Sequence, residues 1–309
     1  MVGRVTQGSI TSQLLRNINT NLTRMQGTQE KLSTGRDINR PSDDPVGITY
    51  SLRYRSDLAV NERYKTNTDS AASMLDFNDT ILTQTGDVLK RVKELAVQAS
   101  NGTNPQVGLD NIASEMEQLK EQLVNIANST FKGKYIFNGQ DVDQIPYGSG
   151  VDPWDVVTDN GQISYVIGAG VKLDVNLNGN DVFGYPPTSS TVTSPKKEDD
   201  NAFYVLDKMI SDLKSANLSD LKVQMNALET RTNKILSQQA EIGARVNRVE
   251  LVQSRLEDLN INLQTLQSKV EDAEYEDLII KSKVDESVYQ ASLSVGAKII
   301  QASLVDFLR

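Results

Sequence analysis

The sequence predicts a mainly α protein: a long antiparallel helical bundle or coiled coil built from both ends of the chain, with a small β-rich insert in the middle. Three observations carry this. All eight prolines fall between residues 41 and 195, so residues 1–40, 46–104 and 196–309 are free of helix breakers. From Leu228, the positions Leu228, Ile235, Ile242, Val249, Leu256, Leu263 and Val270 recur every seven residues, the signature of a coiled-coil seam. Residues 131–200 hold five prolines, nine of the nineteen glycines and eight of the seventeen aromatics, with β-type runs such as KYIFNG and QISYVIGAGVKLDVNL between turn signals.

In chain order, the first helix carries a thin apolar stripe of Ile10, Leu14, Ile18, Leu22, Met25 and Leu32. Its other faces are Asn, Thr and Gly, so alone it is marginal. Within RPSDDPVG, Asp44 at the N-cap and Pro45 at the first helical position start the next helix. Its apolar pattern is loose, carried by Leu52, Leu58, Leu75, Leu82, Leu89, Val92 and Leu95, and Asn101-Gly102 marks its end. Leu109, Ile112, Met116, Leu119, Leu123 and Ile126 alternate steps of three and four, a clear amphipathic helix that needs a partner.

After the insert, the seam from Leu228 predicts a rod over 223–273 of roughly 75 Å. A second apolar position runs Val246, Val252, Leu259, Leu266, Ala273, Ile280, and Asp277 is the first break in the main repeat. The last helix has its own thin stripe, Val284, Val288, Ala291, Val295, Ile299, Ala302 and Val305, interrupted by Gly296 and lined by serines. The two weak end stripes are expected to pair antiparallel and to become firm on assembly. The expected organisation is 1–40 and 278–309 as a terminal coiled coil, 41–130 and 201–277 as bundle helices, and 131–200 as a β-rich outer domain.

Composition removes many function classes. The chain has 309 residues with neither Cys nor His, so disulfides, thiolate nucleophiles, most zinc sites and the commonest neutral-pH base are gone. The net charge of −9 gives a nucleic-acid surface no electrostatic basis, and ten acidic residues sit in the 131–200 segment alone. No stretch is long and apolar enough for a membrane span, and the N-terminus lacks the apolar core of a cleaved signal peptide. No cofactor, metal or enzymatic activity is expected.

The isolated motifs have structural readings. Ser211–Lys214 and Ser219–Lys222 match S-x-x-K but read as helix starts without the companion motifs of a serine enzyme. Asp43-Asp44 cannot supply a calcium ion's oxygens, and Asp141 and Asp143 read as a solvated turn. Trp154 and the tyrosines near it read as core of the small domain rather than a glycan-binding face.

LSTGRDINRPSDDPVG at 32–47, LKRVKELAVQASNGT at 89–103, GKYIFNG at 133–139 and the ending QASLSVGAKIIQASLVDFLR together resemble the flagellin superfamily over about three quarters of the chain. Pro41, Pro45 and the ending SLVDFL resemble its hook–filament junction members more than filament-forming flagellins. The resemblance implies an extracellular structural subunit, exported through the flagellar type III apparatus with a dedicated chaperone. It would form a ring between the first hook-associated protein and flagellin. It places the assembly interface on Ile10, Leu14, Ile18, Leu22, Met25, Leu32, Val288, Ala291, Val295, Ile299, Ala302 and Val305, with Arg36, Arg40, Asp43 and Asp44 as candidate intersubunit ion-pair residues. The alternatives are a filament-type flagellin and a soluble binding module using the β insert.

Overall fold

The computed structural model describes residues 7–101, 104–148 and 150–307, the side chains at 7, 8, 10 and 299–307 excepted. Seven helices and two small sheets follow in order: α1 Gln7–Thr34, α2 Pro45–Ala99, α3 Gln106–Ala127, β1 Thr130–Phe131, β2 Lys134–Tyr135, β3 Ser164–Gly168, β4 Val171–Asp174, α4 Gly179–Phe183, α5 Ala202–Lys214, α6 Leu218–Glu271 and α7 Tyr275–Phe307. The mainly helical class is as the sequence predicts. The chain divides into two compact units, one of residues 1–60 and 258–309, the other of residues 61–257.

In the second unit, the heptad residues Leu228, Ile235, Ile242, Val249 and Leu256 are all buried. Their partner on α2 is itself a heptad seam, with Asn61, Thr68, Leu75, Leu82 and Leu89 at one position and Ala71, Asn78, Thr85 and Val92 at the other, all buried. Polar residues in core positions made this repeat look loose in the sequence. Each makes a hydrogen bond: Asn61 Nδ2 donates to the Leu256 carbonyl at 2.9 Å and Asn78 Nδ2 to that of Val175 at 2.8 Å, leaving both amide oxygens buried without a partner, and the two threonines bond back to their own helix. Helix α3 buries Leu109, Ile112, Met116, Leu123 and Ile126 and packs on α5.

The insert contains less strand than its composition suggests. Two antiparallel hairpins, β1–β2 and β3–β4, are its only sheets among the described residues. The first turns at Lys132-Gly133, both at positive φ (51° and 79°), the two-residue turn whose twist suits a hairpin. Most of the rest is irregular backbone, organised by Phe137, Tyr147, Phe183 and Phe203, whose ring centroids lie 5.1–5.7 Å apart. Trp154 joins this core, half-buried edge-on to Tyr204.

A buried arginine holds the insert to α6. Arg231, 1% exposed, meets Glu198, Asp200 at 2.8 Å, and the carbonyls of Asp200 and Asp181. Lys234 braces the same two carboxylates. Burial would raise the Glu198 carboxyl, but hydrogen bonds from Lys196, Arg231 and Lys234 hold it down at about 2.

Two local expectations are corrected. Ser211 and Lys214 lie in the last turn of α5, not at a helix start; only Ser219 stands in a first turn, beside Asn217. Helix α2 ends at Ala99, where the Ser100 amide still bonds the Ala96 carbonyl, two residues before the expected stop. Gly102 of that stop lies outside the described residues.

Candidate assembly interface

The first unit is built on α1 and α7, which run antiparallel. Leu14 and Ile18 of α1 lie over Gly296 of α7, where an added methyl would come within 3.0 Å of Leu14 Cδ2. Further along, Asn21 Nδ2 donates to Ser292 Oγ at 3.1 Å, Arg24 and Thr28 both bond the buried Asp285 carboxylate at 2.7 and 3.0 Å, and Tyr275 donates to the Leu32 carbonyl. The α1 stripe of Leu14, Ile18, Leu22, Met25 and Leu32 is half-buried.

The α7 face that meets it is not the one its apolar pattern suggests. Leu278, Ser282, Asp285, Tyr289, Ser292 and Gly296, spaced alternately four and three, are the buried or half-buried positions. Val284, Val288, Ala291 and Val295, expected to pair with α1 in the subunit, are exposed. The reason lies in small and polar residues: glycine and serine let the backbones approach, and Asp285 is neutralised by Arg24. Ile10 lies in α1 and Ile299, Ala302 and Val305 in α7, but their side chains are not among those described.

The turn from Gly35 to Pro45 connects α1 to α2. Gly35 ends α1 in the left-handed region (φ 71°), its amide bonded to Lys31. Asp43 accepts from the amides of Arg40 at 2.8 Å and Asn39 at 3.1 Å, bonds that hold its carboxyl below its usual range. Asp44 Oδ1 takes the Val46 amide at 2.9 Å, the expected N-cap, with Pro45 the first residue of α2. Arg40 donates from one guanidinium nitrogen, Nη2, to both oxygens of Glu30, each at 3.0 Å. At Gly47 a side chain would have to displace the ends of the Asp44 and Ile38 side chains.

Where α6 gives way to α7, Glu271 is 2% exposed and gathers this corner. Arg55 binds it twice, at 2.8 and 2.7 Å, Ser51 donates to it, Gln267 reaches it at 3.2 Å and Arg36 stands at 3.7 Å. Its carboxyl sits at about 2, chiefly through Arg55 and against the opposing effect of burial. The Asp37 amide donates to the Glu271 carbonyl and the Ala273 amide to that of Gly35, tying the two connections together. Neither Glu271 nor Asp285 was a candidate in the sequence; a carboxylate at an inward-facing helix position was the available signal.

The balance of apolar surface is uneven. Of twenty-two large apolar side chains left exposed among the described residues, fourteen lie in the first unit, in just over a third of the chain. That unit buries only three large apolar side chains among the described residues, Ile38, Leu263 and Leu278. It contains no described cluster of acids that could hold a metal, and no described helix in the chain is long and apolar enough to cross a membrane. Such a surface has much to cover.

The first unit thus consists of end helices paired antiparallel with a mostly uncovered apolar face, and the second carries the small insert. Residues 5–141 match the bacterial flagellin N-terminal helical region. Over 238 residues the chain is 26% identical to flagellar hook-associated protein 3 of Escherichia coli (strain K12), covering 73% of this chain and 74% of that one. It is 28% identical over 247 residues to flagellin of Bacillus subtilis (strain 168), 76% of each chain. A solved structure of flagellar hook-associated protein-3 from Legionella pneumophila shares the fold with a TM-score of 0.62 at 16% identity, over 71% of this chain and 98% of that one. Over about three quarters of its length the chain is thus similar both to flagellar hook-associated protein 3 and to flagellin, and residues 5–141 carry the match to the flagellin N-terminal helical region.

Proposed function

We propose that the protein is a hook–filament junction subunit that closes into a ring through its first unit. The observation that supports this is the concentration of uncovered apolar side chains there, Leu15, Val284, Val288, Leu293 and Val295 among them, around an almost coreless helix pair. Burying them against neighbouring copies at about 25 cal/mol per Å² converts a weak element into a strong joint. The interface comprises the predicted stripe residues of both ends. Because Arg36, Arg40, Asp43 and Asp44 already have partners within the chain, their contribution is to fix the turn that presents those stripes. The first hook-associated protein and flagellin lie above and below, and the chain reaches the outside through the type III apparatus with its chaperone.

The identity to Bacillus subtilis flagellin supports a second reading as a filament subunit. Electron microscopy of the assembled protein separates the two: a closed ring is expected, and an indefinitely growing filament would overturn the junction role. Leu15→Asp together with Val295→Asp, 56% and 52% exposed, tests the interface. Assembly should be lost while the melting temperature stays within a few degrees, since exposed substitutions change stability by about 0.5 kcal/mol or less. Assembly that persists would remove the first unit from the joint.

A further inference from the structure

In the second unit, α2 and α6 leave a surface hollow of about 390 Å³ floored by Leu82, Leu89 and Ile235, with Leu236 beside it 55% exposed. The hollow is open because residue 86, midway along a 55-residue helix, is glycine. A glycine there costs about 1 kcal/mol against alanine. Nothing within the chain calls for it: its backbone is right-handed, and an added methyl meets no atom within 4 Å.

We infer that this hollow receives the solvent-facing ridge of α3 from a second copy of the chain, Val107 seating over Gly86 with Asp110 against Lys90. Charge and shape both point there. The rim carries Lys90 and Lys93 against one carboxylate, Asp87. The neighbouring cations are engaged, Arg91 by Glu115 and Lys93 by Glu229, whereas among the described residues Lys90 has no carboxylate within 4 Å. Val107 is 70% exposed, and the carboxylate of Asp110, one turn on and also exposed, accepts among the described residues only from the Gln106 side-chain Nε2. The two surfaces cannot meet in one chain: Arg91 reaches α3 on one flank of α2, and Lys93 reaches α6 on the other. The contact is therefore heterologous, the kind that repeats around a ring. This deepens the assembly reading and rests on it.

The test is sedimentation velocity of the full chain over a concentration series, with thermal melting of each variant. Gly86→Leu should weaken association on the order of tenfold or more, about 1.4 kcal/mol, with the melting temperature unchanged or raised. Gly243→Leu, at a second helical glycine with equally open space, should associate like wild type. Lys90→Glu and Asp110→Lys should each weaken association, and the double variant should restore it. Normal association of Gly86→Leu, or a double variant as weak as the singles, would overturn the proposal. Association abolished by Leu15→Asp with Val295→Asp but untouched by Gly86→Leu would sink this contact and spare the parent reading. A wild type that stays monomeric to its solubility limit would overturn both.

Discussion

At the scale of single residues, two buried ion sites set how the protein answers acid. Glu271 and Glu198 have carboxyls near 2, against an ordinary 4.5. A depressed carboxyl stabilises the fold fully above about pH 4.5, and the gain is lost as pH falls towards 2, where the folded form is also protonated. For Glu271 this is worth roughly 3 kcal/mol. Melting curves between pH 6 and about 2 should therefore show a steep acid slope that Glu271→Gln flattens. An unchanged slope would remove Glu271 as its source. Arg231→Met strands Glu198 and Asp200 with Lys234 and Lys196 alone, and should cost about 3 kcal/mol in urea unfolding. None of this was visible in the sequence, because Arg231 reads as a surface residue between Leu228 and Ile235. Three positions after a seam residue, however, it falls on the inward side of the helix, and that phase was the missed clue.

At the scale of elements, legibility followed how apolar each contact is. The α6 repeat and α3 could be read directly, since their inward faces are aliphatic. Helix α2 looked loose because Asn61, Thr68, Asn78 and Thr85 fill core positions that a hydrophobic pattern counts as breaks. Helix α7 was read one position out of phase: its apolar residues mark the face left for others, and Asp285, Ser292 and Gly296 mark the face used within the chain. Gly296→Val should accordingly push Leu14 away and loosen the pair. Hydrogen exchange should show faster opening across 10–30 and 280–298, with 70–100 unaffected; equal rates in variant and wild type would mean that the close approach does not matter. Asp44→Ala removes the cap of α2 and should cost about 1 kcal/mol, a shift that thermal melting resolves.

For the whole molecule, stability is expected to be lopsided. The second unit holds nearly all the buried apolar residues, and the first holds most of the exposed ones. Native-state exchange of the isolated chain should give slow amides along 71–99 and 228–250 and fast ones along α1 and α7. On assembly the fast set should slow. Protected end helices in the dilute monomer would contradict the idea that neighbours complete them. The insert was legible as a separate segment but not as a fold, because its order comes from aromatic packing and side-chain caps rather than from strands.

The amides inside α2 also act as a lock on alignment. Asn61 and Asn78 each have one carbonyl within reach of their NH₂ groups, at Leu256 and Val175. A slide of α2 along α6 by one heptad would offer Asn61 an equivalent backbone carbonyl, yet would pull Asn78 off Val175, whose carbonyl belongs to the insert and does not recur along α6. An aliphatic seam tolerates such slippage, and tolerates a helix borrowed from another molecule in the wrong frame. This one rejects both.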